Sequence, residues 1–170
     1  LRNDPIAASS IAAATACAFI RIGVHAGTMI TEQGIIQGTP HETLRLRKSL
    51  GSEIKIFADF QVKHEESFAP PPVDRDARDL VERGLSDVVV VSGIGSGKPA
   101  DLEVVQKVAA GISGTPIFLG SGVDVENIDR MFSVGNGAIV GSSVKEGAVL
   151  GRPVSLKRVR DLVQKVNDVS

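Results

Sequence analysis

The sequence predicts an α/β protein whose parallel strands form part of a TIM-type (β/α)8 barrel, and three features of the chain support this prediction. Short β-rich runs alternate with helical patterns along the 170 residues. Polar residues follow one face of two of these runs, and the last two runs each end in a loop of small residues. Regular alternation of strand and helix is typical of right-handed βαβ units and a parallel sheet.

The predicted strands are rich in Ile, Val or Phe, and several are apolar almost throughout, as strands covered on both faces should be. They comprise residues 18–24, 54–62, 87–92, 116–120 and 137–141. We expect them to lie side by side, in sequence order, in one parallel sheet. A complete barrel takes about 250 residues, so residues 1–170 are expected to form a single domain that supplies five or so βα units of a barrel.

Helical patterns separate the predicted strands. One begins at Thr39 and Pro40, a cap residue followed by a proline in the first turn. The others cover residues 74–84, 101–110, 124–134 and 152–169. An aspartate opens three of these segments, which suits the positive end of a helix dipole.

Composition argues against several classes of partner. With 19 basic and 20 acidic residues, the net charge of −1 leaves no general attraction for a nucleic-acid backbone. No apolar run is long enough to span a membrane. The one cysteine, Cys17, lies in apolar sequence and is predicted to be a small core residue. The absence of a disulfide fits a reducing compartment, so we expect the protein to be cytoplasmic, or peripheral to a membrane if it serves a membrane complex. Targeting by a segment before Leu1 is left open.

Polar residues mark one face of the first two predicted strands near their C-terminal ends. Arg21 and His25 alternate along the first, and Asp59, Gln61 and Lys63 along the second. The rim of a barrel interior is the natural place for such side chains. Arg21, His25 and Gln61 are therefore candidate substrate-binding residues. For His25 and Lys63 the alternative is a position in an exposed loop beyond the strand.

Asp59 is the candidate catalytic acid or base. An aspartate inside an apolar strand has its protonation set by a nearby partner. The alternative is a structural salt bridge to Arg21, since a buried arginine needs an anionic partner. Lys63 is a further catalytic candidate that could bind an anionic group. His64 could transfer a proton if a turn brought it to the same face.

Two loops of small residues predict a phosphate site after the last two strands. Their candidate ligand residues are Gly120, Ser121, Gly122, Gly141, Ser142 and Ser143. In barrels of this type the phosphate lies between these two loops, where glycine lets the main chain approach the anion closely. Simple strand-to-helix turns are the alternative. Asp124 is expected to cap the helix that follows the first loop.

Two other glycine-containing segments are less specific. Residues 25–38 form a long, partly apolar loop that suits either a lid over the site or plain packing. The segment ending at Gly97 and Lys98 is similar to a glycine-rich phosphate loop. It is not a P-loop, because Pro99 follows the lysine and the required glycine spacing is not met.

Several short motifs, taken together, resemble the BtpA family, which includes SgcQ-like bacterial proteins. The motifs are Leu1-Arg-Asn-Asp-Pro5, Phe19-Ile-Arg21, Gln33-Gly-Ile-Ile36, Phe57-Ala-Asp59, Val62-Lys-His64, Ala77-Arg-Asp-Leu-Val81, Gly120-Ser-Gly122 and Val140-Gly-Ser142. They extend over essentially the whole chain. The resemblance implies a barrel of the ribulose-phosphate-binding group, in agreement with the two predicted phosphate loops.

The resemblance also bears on the start of the chain. Family members are longer, and residues 1–5 correspond to the end of their third strand, so earlier strands are expected to precede Leu1. The resemblance thus implies that residues 1–170 supply the C-terminal five or so βα units of the barrel. Asn3 would then lie at the rim as a substrate-binding residue, and Asp4 would be a catalytic candidate near Asp59. No spacing typical of metal ligands occurs, and neither a metal nor a cofactor is predicted.

Two functions stay open. The first is binding, with or without chemical conversion, of a phosphorylated small molecule such as a sugar or nucleoside derivative. The second, implied by the family's link to photosystem I biogenesis, is a non-catalytic role in the stability of a membrane complex. Burying a row of Arg, Asp and Lys side chains costs free energy that a purely structural protein has no reason to spend. This favours the ligand-binding function. Unpaired sheet edges favour strand exchange, so a homo-oligomer is left open.

Overall fold

The computed structural model describes residues 3–31, 34–61, 66–67, 71–93, 95 and 97–169. The helices are α1 (Pro5–Ala14), α2 (Pro40–Ser49), α3 (Val73–Glu82), α4 (Leu102–Gly111), α5 (Ile128–Phe132) and α6 (Leu156–Val169). The strands are β1 (Phe19–Ile22), β2 (Thr28–Thr31), β3 (Gly34–Gln37), β4 (Lys55–Phe60), β5 (Glu66–Ser67), β6 (Val88–Val91), β7 (Ile117–Leu119) and β8 (Gly137–Ala138).

Five strands form one parallel sheet in the order β1-β4-β6-β7-β8. The prediction of neighbouring strands in sequence order is therefore confirmed. The observed strands are shorter than predicted at their C-terminal ends. The chain leaves the sheet at Gly23 after β1 and at Gln61 after β4, where Gln61 takes a left-handed conformation with φ +48°.

Alternation along these strands divides the sheet into two faces. Ile20 and Ile22 of β1, with Ile56 of β4, are buried in a cluster with Ala12 of α1. Val89 and Val91 of β6 face the same side and pack in the main core with α3, α4, α5 and α6. Because successive side chains point to opposite faces, the intervening residues lie on the face away from the helices.

That second face has an aromatic layer at its base. The Phe19 and Phe57 rings stack with their centroids 4.3 Å apart. Phe118 meets Phe57 edge to face at 5.2 Å. Two residues further along β1 and β4 stand Arg21 and Asp59, so the polar groups lie directly above the aromatic layer, towards the C-terminal ends of the strands.

A second, antiparallel sheet forms from the loops above these strand ends. β2 and β3 make a hairpin in which Thr31 pairs with Gly34, and β2 also pairs with β5. The segment 25–38, for which the sequence left a lid or a plain packing loop open, thus contains a small antiparallel hairpin. Its alternation of residues is too short to distinguish a small hairpin from a loop.

Three further features differ from the predictions. Helix α1 was not anticipated, although Asp4 caps it by accepting a hydrogen bond from the Ala7 amide at 2.9 Å. Helix α5 is shorter than predicted because residues 124–127 form a turn, in which Asp124 Oδ1 accepts from the Glu126 and Asn127 amides at 3.0 Å. Cys17 is exposed in the turn before β1, so its prediction as a core residue is wrong.

His25 is carried into the interior once the chain leaves β1. Its side chain is 1% exposed, and its Nε2 lies 2.7 Å from the carbonyl oxygen of Gly84, just beyond α3. A carbonyl oxygen only accepts, so Nε2 carries the hydrogen. The buried Nδ1 has no hydrogen-bond partner among the described residues. His25 does not share a face with Arg21, contrary to the prediction, because the strand alternation ends at Ile22.

The close packing of α3 and α4 generates a first prediction. A Cβ added at Gly111 would lie 2.7 Å from the Cα of Asp74, a rigid main-chain atom. We expect Gly111→Ala to lower the free energy of unfolding by about 1–3 kcal/mol through overpacking. Gly151→Ala is the matched control, because no atom lies within 4 Å of a Cβ there. Urea denaturation measures both, and equal stability of the two variants would contradict the packing argument.

His25 generates a prediction on pH. Burial lowers the pKa of its imidazole below the ordinary 6.5, the Gly84 carbonyl opposes this, and the Arg47 guanidinium lowers it further. Since the unfolded chain binds more protons below pH 6.5, stability present above that pH is lost as the pH falls.

We expect this loss to reach at most about 1.4 kcal/mol per pH unit from this one group. His25→Gln should flatten the profile of unfolding free energy between about pH 6.5 and pH 5. His41→Gln, at an exposed histidine, serves as the control and should retain the slope of the parent protein. A slope unchanged by His25→Gln would show that other groups cause it.

Candidate functional site

An ion pair joins the C-terminal ends of β1 and β4. Arg21 Nη2 lies 2.7 Å from Asp59 Oδ1, and Arg21 Nε lies 3.2 Å and 3.0 Å from Oδ1 and Oδ2. Ser92 Oγ, beyond β6, accepts a longer bond from the same Nη2 at 3.5 Å. The salt bridge that the sequence offered as an alternative for Asp59 is therefore confirmed.

The two partners differ in exposure. The Asp59 side chain is 10% exposed, whereas that of Arg21 is 36% exposed. Both carboxylate oxygens of Asp59 accept from the Nε and Nη2 groups of Arg21, an orientation that holds the guanidinium in a fixed plane. Asp59 therefore fixes the orientation of the Arg21 guanidinium, and the edge of the guanidinium that does not contact Asp59 is exposed.

A cavity of about 620 Å³ lies beside the exposed edge of Arg21. Both predicted phosphate loops line it, one after β7 and one after β8. The lining residues are Arg21, Gly97, Lys98, Gly120, Ser121, Gly122, Asp124, Ile139, Val140, Gly141, Ser142, Ser143, Ala148 and Leu150. A cavity of this size is typical of small-molecule sites.

The three glycines of these loops differ in the atoms that surround them. A Cβ at Gly120 would collide with Ser92 and lie 3.2 Å from Arg21 Nη2, so glycine leaves room for the ion pair. Gly122 has φ +69°, and a Cβ there would collide with the main chain at Lys98 and Pro99. Around Gly141, by contrast, no atom lies within 4 Å of an added Cβ. Only this third glycine opens directly onto free space.

The serine hydroxyls tie loops together. Ser121 Oγ donates to the Lys98 carbonyl at 2.8 Å and accepts from the Gly93 amide at 3.1 Å. Ser143 Oγ donates to the Val123 carbonyl at 2.7 Å. The Ser121 and Ser143 hydroxyls are thus already bonded to protein, so the main-chain amides and the hydroxyl of Ser142, which also lines the cavity, are the groups that the two loops can offer to a ligand.

Lys98 reaches the cavity because Ser121 holds its loop there. The sequence provides a signal for this residue, a glycine-rich stretch directly after a buried strand. A comparison of this stretch with the P-loop spacing alone does not identify Lys98 as a site residue. Leu150 and Ile139 were also missed, since nothing in an apolar residue alone marks it as lining a cavity.

Three other predicted site residues, Asn3, Asp4 and His25, do not line this cavity. Asp4 is used as the cap of α1. Asn3 Oδ1 is buried without a hydrogen-bond partner among the described residues. His25 is buried against Gly84. Lys63 and His64 lie outside the described residues.

Gln61 lies at a second, smaller cavity of about 300 Å³, which Asp59, Asp76 and Asp79 also line. Its Nε2 donates to Asp76 Oδ2 at 3.4 Å. Burial raises the pKa of the Asp76 carboxyl, the bond from Gln61 opposes this, and the Asp79 charge raises it further. The Arg21–Asp59 pair therefore stands between a cavity with cationic side chains and one with acidic side chains.

No group of three or more His, Cys, Asp or Glu side chains among the described residues is placed to hold a metal ion. No helix in the same part of the chain combines the length and apolar character needed to cross a bilayer.

Comparison with known structures supports the barrel. N-(5'-phosphoribosyl)anthranilate isomerase from Pyrococcus furiosus superimposes with a TM-score of 0.60 at 20% identity, covering 96% of this chain and 70% of the isomerase. An archaeal fructose 1,6-bisphosphate aldolase gives a TM-score of 0.58 at 14% identity, covering 94% and 62%. At this identity the likeness shows the fold alone, a parallel α/β sheet of the (β/α)8 barrel type.

Comparison of sequences identifies the family. An uncharacterized protein of Thermococcus kodakarensis is 44% identical over 99% of this chain and 64% of its own length. The photosystem I biogenesis protein BtpA of Synechocystis is 38% identical over 96% and 57%. This chain thus spans about three fifths of the length of these relatives. The BtpA family profile matches residues 1–168, and the chain belongs to the BtpA family.

Proposed function

We propose that the protein binds a phosphorylated small metabolite, with the phosphate held between residues 120–122 and 141–143. One observation carries this proposal: both loops line one cavity together with Arg21 and Lys98. Two basic side chains at the edge of a cavity attract an anion, and the glycines let the main chain approach it.

The main-chain amides at the start of the loop after β8 are placed to donate hydrogen bonds to a phosphate. Ser142 and Ser143 open a 3-10 turn, Ser142–Val144, and the first amides of such a turn have no partner within it. Gly141 precedes the turn and faces free space. In the other loop the Gly120 amide already donates to the Val91 carbonyl at 2.8 Å, and Asp124, just beyond that loop, adds a carboxylate that would repel an anion. We therefore assign the stronger phosphate contacts to Gly141, Ser142 and Ser143.

The names of the structural relatives point in the same direction. One is an isomerase of a phosphoribosyl compound, and another is an aldolase of a sugar bisphosphate. Barrels of this architecture commonly place phosphate after their last two strands. The likeness in fold makes a phosphorylated ligand the natural class for this cavity.

Chemical conversion of the ligand is a separate proposal. Arg21 is fixed in orientation and exposed at the cavity, so we assign it a part in binding the anionic group of the ligand. Asp59 is assigned primarily as the residue that positions Arg21, since both of its oxygens already accept from that side chain. It stays the candidate acid or base should turnover be found, with Lys63 and His64 as further candidates.

A second candidate function is a non-catalytic role in the assembly of a membrane complex. Its support is the 38% identical Synechocystis relative, which is named for photosystem I biogenesis. The two functions make different demands on the cavity. Introducing the change corresponding to Gly141→Val into that relative separates them: photosystem I that still accumulates would mean that the assembly role does not use the cavity.

A titration tests the phosphate site. We expect inorganic phosphate to bind the parent protein and Gly141→Val to weaken that binding about tenfold or more, because the new side chain fills the anion position. The fold should persist, since the added Cβ has free space around it. Gly151→Val, at a glycine that does not line the cavity, is the control. Equal affinity of Gly141→Val and the control would show that this loop is only a turn.

The natural ligand is accessible by mass spectrometry. We expect a compound carrying a phosphate group to be released when the protein, purified without phosphate or sulfate, is denatured. The Gly141→Val variant should carry less of it, because its cavity is blocked. Release of equal amounts from both proteins would place the compound elsewhere on the molecule.

A further inference from the structure

A closed loop after β8 supplies part of the cavity wall with apolar side chains. Ala148 and Leu150 of this loop line the cavity, next to Ile139 and Val140 from the end of β8. The remaining lining consists of glycines, hydroxyl groups and charged side chains. The cavity is therefore divided chemically, with polar groups for an anion on one part of the wall and hydrocarbon on the other.

The loop is held in place by its own hydrogen bonds. Its two ends are joined by bonds from the Glu146 amide to the Pro153 carbonyl and from the Ser155 amide to the Val144 carbonyl, both 2.9 Å long. Inside the loop, Lys145 Nζ donates to the carbonyl of Leu150. The main chain that carries the Leu150 side chain is thus fixed to the base of the loop.

Two details indicate that the apolar part of the wall contacts the ligand. Ala148 has φ +58°, a left-handed conformation that glycine adopts at lower free energy. The alanine nonetheless keeps a methyl group in the cavity wall. Leu150 lines the same cavity and is 60% exposed. A ligand that covered Leu150 would remove its apolar surface from water, which favours binding.

We infer that the ligand is a phosphate monoester whose organic group is apolar, aryl or alkyl, and that Leu150 selects it. This inference rests on the proposed phosphate site and adds the chemistry of the rest of the ligand. A polyhydroxy group in the same position would face Leu150, Ala148 and Ile139 with hydroxyls that lose water without gaining partners. The wall thus disfavours open polyols and favours hydrocarbon next to the phosphate.

The test compares inorganic phosphate, phenyl phosphate and glycerol 1-phosphate by calorimetric titration. In the parent protein, phenyl phosphate should bind about five to ten times more tightly than glycerol 1-phosphate, as expected from burial of one apolar group. Leu150→Ser should bring this ratio close to one and leave the affinity for inorganic phosphate unchanged. Leu150→Met, which keeps an apolar side chain, should retain the preference.

Val149→Ser is the matched control. Val149 is the next residue in the same loop and is also exposed, but it does not line the cavity. Its substitution should leave the ratio at the parent value. All of these positions are exposed, and circular dichroism checks that each variant keeps the fold.

The outcomes separate the two proposals. Equal binding of the two esters by the parent protein overturns the inference and leaves the phosphate site standing. So does a Leu150→Ser variant that weakens inorganic phosphate as much as phenyl phosphate. Failure of inorganic phosphate to bind, or binding that Gly141→Val does not change, overturns the phosphate site and the inference with it.

Discussion

The two-residue period of the parallel strands is the constraint on which the rest of this structure depends. One set of side chains must be apolar because helices cover it, as Ile22, Ile56 and Val91 are covered. The side chains of the other set face away from these helices, and near the C-terminal ends of the strands they need not be apolar. Arg21 of β1, Asp59 of β4 and Ser92 just beyond β6 belong to this second set of side chains. They form a polar layer that does not interrupt the core.

The loops beyond the strands are connected through main-chain contacts. The hydroxyl of Ser121 bridges two points of the loop that follows β6. Gly122 then lets the main chain pass against Pro99. Lys98 and the loop after β7 are thereby held as one unit. An anion would meet main-chain groups already in position, which reduces the reorganisation that binding requires.

The sequence predicts the parallel sheet well because burial on two faces leaves a clear signal in each strand. It also predicts the ion pair, since an arginine and an aspartate on the same face of neighbouring buried strands have few other partners. Strand ends are harder to predict: Gly23 ends the alternation that would have placed His25 beside Arg21. The prediction for Cys17 failed because apolar composition does not reveal which side of a turn is covered.

The contribution of loops to the site is hardest to predict, for a physical reason. Leu150 lines the cavity only because hydrogen bonds between Val144, Glu146, Pro153 and Ser155 return the chain to its starting point. Such long-range closure has no periodic pattern in the sequence. The same applies to Lys98, whose position depends on a serine 23 residues away in the chain.

The joined ends of the loop after β8 have a consequence for the evolution of binding specificity. Because the chain enters and leaves at one bridged pair, Lys145 and Val154, the residues between them can change in length and composition while β8 and α6 keep their positions. The part of the wall proposed to discriminate among ligands is thereby separated from the part proposed to hold the anion. Relatives could exchange this one segment and acquire a new ligand preference on an unchanged barrel.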